Sequence, residues 1–290
     1  MSKSFVPAHI SAFFSPHYEE DIQSTGSLGL GFTLEDRIAT HVIIEKGNGN
    51  VSVFFNKRPI QLEIVSFAVW QVLPSHSYNV TVHFESSFDI GIGLGASAAM
   101  IFGVLIALNT ELSLGYSQLE LLRCAHAVEV ENKTGLGDVV GQYVGGIVLR
   151  KAAGTKNLDQ CEKIDFDDSF RVLFFTLGPI STKKVLFDEK TLEIIQKEGK
   201  RCLNEFLHDR SIENLMKLSN EFGKVTTLMD PTIERICDSI SEFVCAQSML
   251  GKTLFTIVPL EDVKRVHSIL NSYYPTTISK ISKKGAYLVN

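Results

Sequence analysis

Apolar and polar positions alternate, cluster and shift period along this chain, and the shifts divide it into elements. "THVIIEKGNGNVSVFFN", residues 40 to 56, holds two β-branched and aromatic runs around Gly47-Asn48-Gly49-Asn50, which predicts a hairpin. "YNVTVHFES", 78 to 86, alternates apolar and polar residues and predicts a further strand. From Ser97 to Leu108 the chain is apolar almost all round, and from Ser117 to Val130 it is amphipathic. These are two helices, the first of them buried. "GGIVLRK", 145 to 151, returns to strand.

The polar stretch 151 to 169 has little apolar periodicity and separates two strand-like runs, so a unit boundary is expected there. Beyond it come a strand "RVLFFTL", three helical patterns between about residues 188 and 248, then strand, helix, strand and strand. Strands and helices mix without regular βαβ alternation. The expected class is α+β in two units, 1–160 and 161–290.

Composition narrows the partners. The 290 residues are 44% hydrophobic and 21% charged with a net charge of −5, a globular balance without the basic footprint of a nucleic-acid binder. No run of about 18 apolar residues predicts a membrane span, and the start "MSKSFVPAHISAFF" lacks the pattern of a secretory leader. A cytoplasmic protein is expected, with neither nucleic acid nor membrane as partner. Five scattered cysteines without a C-x-x-C pair suggest neither a disulfide framework nor a zinc site.

Candidate chemistry begins at "DIGIGLGASAAM", 89 to 100. Gly91, Gly93 and Gly95 can take positive φ and let backbone approach a ligand, and the following helix has free amides at its start. The dinucleotide fingerprint and the P-loop both demand other spacings. An anion-binding loop and a plain glycine-rich turn before a core helix both fit. Further on, His126 and Glu129 share a helix face that runs into Thr134-Gly135-Leu136-Gly137-Asp138. A carboxylate there can hold a cation or take a hydroxyl proton, or simply cap a helix. "AQSMLGKT", 246 to 253, satisfies a relaxed P-loop pattern, but helical spacing precedes it and a strand follows, the reverse of what a P-loop needs.

"GIGLGASAA" resembles the phosphate loop of the GHMP kinases, with Asp89 where that family often has proline, Ala96 in place of its first serine, and Ser97 keeping the second. "GLGD" with Gly145-Gly146 resembles the family's catalytic-aspartate segment, and "SMLGKTLF" its third motif. "FVPAHISAFF", "STGSLGLGFTL", "AHAVEVENKTGLGDVVGQYVGGIVLR" and "LGPISTKKVL" are similar to the archaeal pantoate kinase branch, with Ala8 in a usual glycine position. The resemblance covers most of residues 5 to 186.

It implies the two-domain GHMP fold, an N-terminal domain like domain 2 of ribosomal protein S5 followed by a ferredoxin-like C-terminal domain. It also implies an ATP- and Mg²⁺-dependent kinase acting on the 4-hydroxyl of (R)-pantoate in coenzyme A synthesis. By the same resemblance Gly91, Gly93, Leu94, Gly95, Ala96 and Ser97 hold phosphates, Ser97 and Glu129 hold Mg²⁺, and Asp138 addresses the attacking hydroxyl. Ser27, His126, Arg150 and Thr182 take the pantoate positions. Another GHMP kinase, for homoserine or a mevalonate derivative, and a non-catalytic nucleotide-binding regulator stay open, as does a homodimer.

Overall fold

The computed structural model describes residues 3–73, 75–179 and 189–289. Its spine is a long antiparallel ribbon, β1 (Lys3–His17) with β2 (Gly26–Lys46), whose register slips between Pro7 and His9 and again between Ser11 and Phe13. The shifts bend the ribbon and re-aim side chains at its middle. Around it stand β3 (Val51–Phe55), β4 (Arg58–Ile60), β5 (Tyr78–Ser86), β6 (Ile147–Arg150), β7 (Cys161–Ile164) and β12 (Tyr287–Val289). The order is β12-β1-β2-β5-β3-β4, with β6 joining β2 and β7 joining β6.

Both runs of the expected 40–56 hairpin are strands, but they do not pair with each other. β5 inserts between them, antiparallel to β2 and parallel to β3. The turn is shaped from outside: the Asn79 side-chain oxygen accepts from the backbone N–H groups of Asn48 and Asn50. The alternating pattern of 78 to 86 fits a half-buried strand at any place in a sheet, and a long-range partner displaced the local one.

Helix α2 (Ala96–Glu111) is apolar round its whole circumference because it is buried from Ala98 to Leu108 between the ribbon and its flanking helices, α1 (Glu63–Val72) and α3 (Gln118–Asn132). Gly103 lets it approach closely: its carbonyl accepts from the Ser4 hydroxyl at 2.7 Å. A capping box of Ser117 and Glu120 starts α3. The short α4 (Asp138–Val144) crosses beside β1.

The second sheet, β11 (Thr277–Ser279), β8 (Phe170–Thr176), β10 (Thr253–Pro259) and β9 (Ala246–Gln247), is antiparallel in that order. α7 (Pro231–Ser239) and α8 (Val263–Asn271) cover it with a small core of their own that includes Leu173, Ile233 and Val266. α5 (Glu189–His208) and α6 (Ile212–Val225) lie against β1, where the Ser219 hydroxyl donates to Ala12 O at 3.0 Å. Phe32 and Phe255 meet edge to face at 5.5 Å and join the two sheets. The expected division at residue 160 falls inside the β6–β7 hairpin, and β12 returns the chain to β1.

Candidate active site

The loop between β5 and α2 has φ of +82° at Gly91, +89° at Gly93 and +65° at Gly95, a region that favours glycine. Its carbonyls are held by protein on both sides. From the second sheet, the Thr253 hydroxyl donates to Ile92 O at 2.6 Å and the Ser248 hydroxyl to Gly93 O. From the first, His9 N–H donates to Leu94 O at 3.0 Å and the Gln142 amide to Gly95 O at 2.8 Å. α2 then starts at Ala96 with Gly95 as its N-cap and no side-chain cap. Its opening amides are left for an anion, which the helix dipole also favours. The Ser97 hydroxyl is buried there without a hydrogen-bond partner among the described residues.

Asp138 stands at the end of this loop; a Cβ placed on Gly95 would lie 3.6 Å from that of Asp138. His9 Nδ1–H donates to Asp138 Oδ1 at 2.8 Å, and the Ser11 hydroxyl donates to the same oxygen at 3.1 Å. No donor among the described residues takes Oδ2. Side chains at Gly31 or Gly141 would collide with the His9 imidazole, so these two glycines box the ring in place. Burial works to raise the Asp138 pKa, but the hydrogen bond and charge of His9, the Arg150 charge and Ser11 together hold it below the usual carboxylate value.

Glu129 is pushed the other way. Burial and then the negative charge of Asp138 raise its pKa to about 8, against opposing pulls from the hydroxyls of Ser97 and Thr134. Thr134 donates to Glu129 Oε1 at 3.0 Å, whereas Ser97 sits outside good hydrogen-bond geometry. The two neighbouring carboxylates are thus driven apart, Asp138 toward the ionised and Glu129 toward the protonated form.

Arg150 is buried on β6. Its Nε donates to Ser27 O at 3.2 Å and Nη2 to Ser27 Oγ at 3.4 Å, while Nη1 has no partner among the described residues. Burial lowers its pKa and Asp138 opposes this; a guanidinium remains a cation at neutral pH. His126 is fully buried on α3, where Nε2–H donates to Thr25 O at 2.8 Å and burial lowers its pKa. It fixes the strand start that carries Ser27 and does not line the hollow in front of Asp138. Thr182 lies outside the described residues.

That hollow is lined by Ser11, Ser27, Gly137 and Asp138 and by the apolar Phe14, Leu136, Met249 and Leu250. The Asp138 side chain is 31% exposed, so a ligand can reach it. A larger cleft, about 1290 Å³, is lined by Asp36, Arg37, Asn56 and Lys280 among others and contains no residue of the glycine loop. No group of three or more metal-binding side chains occurs among the described residues. Ser97 and Glu129 alone suit Mg²⁺, which usually keeps waters and takes its remaining oxygens from phosphates.

Residues 63–146 match the GHMP kinases N terminal domain. The pantoate kinase of Methanocaldococcus jannaschii is 35% identical over 271 residues, spanning 92% of this chain and 97% of that protein. The chain belongs to the GHMP kinase family. The pantoate kinase of Thermococcus kodakarensis is 32% identical, over 93% of this chain and 91% of its own. A solved structure described as "Phosphotransferase related to CoA biosynthesis pathway" superposes with a TM-score of 0.88 at 30% identity, covering 99% of this chain and 98% of that one.

Five residues that contact Asp138 or the glycine loop are not singled out by the sequence reading: His9, Ser11, Gln142, Ser248 and Thr253. His9 and Ser11 carry a usable signal, since two polar residues at i and i+2 in the apolar "VPAHISAFF" share a strand face. Ser248 and Thr253 lie inside the P-loop-like string. Its lysine, Lys252, pairs with Asp230 at 2.9 Å instead of reaching a phosphate site.

Proposed function

We propose that the protein transfers the γ-phosphoryl group of ATP to the 4-hydroxyl of (R)-pantoate, in the cytoplasm and within coenzyme A synthesis. The observation that carries the reading is an ionised, reachable Asp138 that shares its hollow with Ser27, whose carbonyl and hydroxyl accept from a buried Arg150 with Nη1 unpartnered among the described residues. The curated relatives named pantoate kinase support the acceptor. All five cysteines are free, which suits a reducing compartment.

In this reading the amides of residues 95 to 98 receive the phosphates of ATP, and the carbonyl bonds to Ser248, Thr253, His9 and Gln142 keep the loop open for them. Ser97 and Glu129 would hold Mg²⁺, which supplies neutralisation of phosphate charge when bound. Asp138 Oδ2 accepts the hydrogen of the attacking hydroxyl while His9 and Ser11 fix Oδ1, so the nucleophile is oriented before it loses its proton. Arg150 Nη1 and the Ser27 hydroxyl take the substrate carboxylate. Phosphoryl transfer asks for little more than this positioning and charge balance.

The test is ADP release measured over pantoate, homoserine, mevalonate, mevalonate phosphate and a buffer blank. Pantoate is expected to give the highest kcat/KM. Preference for another acceptor overturns the substrate, and ADP release from none of them overturns the catalytic reading.

A further inference from the structure

The apolar lining of the hollow has no task in the mechanism above, and its construction is unusual. Met249 and Leu250 sit at the tip of the turn between β9 and β10, and Leu250 has φ of +65°. That conformation is disfavoured for a branched side chain and suits glycine, which in fact follows at Gly251. The turn is pressed against the site from both ends. Met249 N–H donates to Ser11 O at 3.2 Å, and a side chain at Gly251 would collide with the backbone of Ile92 and Gly93. Leu250 is therefore held in the lining of the hollow that Asp138 also lines, together with Phe14, Leu136 and Met249.

Resting on the pantoate reading, we propose that Leu250 and Met249 form a specificity wall for the quaternary carbon of the substrate. In pantoate the carbon next to the reacting CH₂OH carries two methyl groups. When Asp138 addresses the hydroxyl, those methyls sit two bonds from the reacting carbon, in a hollow whose side chains other than Ser11, Ser27 and Asp138 are apolar. Phe14, Leu136, Met249 and Leu250 offer two methyls apolar contact and offer a charged group no partner. Homoserine, with an unsubstituted carbon at that place, would leave the wall without contact. The wall comes from the turn between β9 and β10 and the reacting aspartate from the start of α4, so substrate choice and chemistry are supplied by different parts of the chain.

The test compares wild type, Leu250→Gly and Met249→Ala on pantoate and on 2,4-dihydroxybutanoate, which is pantoate without its two methyls. Glycine is at ease at this φ, so Leu250→Gly removes the side chain without loading the turn. The expected result is a fall of about 10- to 100-fold in kcat/KM for pantoate, the scale of a lost apolar contact in a substrate pocket, with a change of about threefold or less for the analogue. The KM for ATP should stay level. Equal losses on both acceptors, or no loss on pantoate, overturn the proposal. Wild type that ignores pantoate and phosphorylates another acceptor overturns the substrate reading itself, and the proposal with it, before any variant is made.

Discussion

His9 Nδ1 lies 2.8 Å from Asp138 Oδ1, in a slot that exists only because residues 31 and 141 are glycines. The bond does two things: it turns the other carboxylate oxygen toward the hollow, and it helps keep Asp138 ionised against burial. His9→Ala should lower kcat by about 10- to 100-fold, the range for a misplaced proton acceptor, while ATP binding changes little. Because Asp138 loses a hydrogen bond and a positive neighbour, its pKa should rise. The acid limb of the kcat/KM profile should then move to higher pH. An unmoved acid limb would show that His9 serves packing alone.

Asp138→Asn keeps the shape and removes the charge, so turnover should fall by about 10² or more with nucleotide affinity nearly intact. Calorimetric titration with a non-hydrolysable ATP analogue, beside steady-state rates, separates the two. Near wild-type turnover would end the assignment.

Glu129 gives a pH prediction whose direction is unusual for a carboxylate. Its folded pKa, about 8, stands above the ordinary 4.5, so between those values the folded state binds a proton that the unfolded chain has released. Stability from this group is present below pH 4.5 and is lost as pH rises toward 8, with a slope of up to about 1.4 kcal/mol per pH unit. Glu129→Gln removes that slope. In metal-free buffer the variant should gain on wild type in urea midpoint between pH 6 and 8.5. Parallel midpoints across that range would refute the buried, protonated state.

Arg150→Ala should raise the KM for pantoate by about 10- to 150-fold, since a charge-assisted hydrogen bond to a carboxylate contributes about 1.5–3 kcal/mol. Arg150→Lys should recover only part of this, because a point charge cannot reproduce the two-donor fork. The KM for ATP is the internal control, and equal damage to both would assign Arg150 to the fold.

The glycine loop was legible because spacing alone exposes a need for positive φ, and Gly91, Gly93 and Gly95 have it. Helices α2 and α3 were legible for the same local reason: one is apolar all round, and the other carries a capping box and one apolar face. What stayed hidden is non-local. Nothing in 40 to 56 tells that β5 will separate its two strands, and nothing in "YLV" at 287 to 289 tells that it will pair with β1. The setting of Glu129 was equally invisible, since the same residue on a helix face is solvated or buried according to what folds over it. "AQSMLGKT" misleads most, because its hydroxyls bear on the glycine loop that lies about 155 residues earlier in the chain.

The two hydroxyl bonds from Ser248 and Thr253 mean that the loop is a guest of the second sheet. A fragment ending before β8 would carry every residue assigned to chemistry except the specificity wall and Thr182. Even so, the carbonyls of Ile92 and Gly93 would turn to water, and the loop would be free to fold in on itself. Dissection or domain exchange between relatives should therefore weaken nucleotide capture even when the transplanted half is native in sequence, and restoring it would require moving the Ser248-to-Thr253 turn together with the loop.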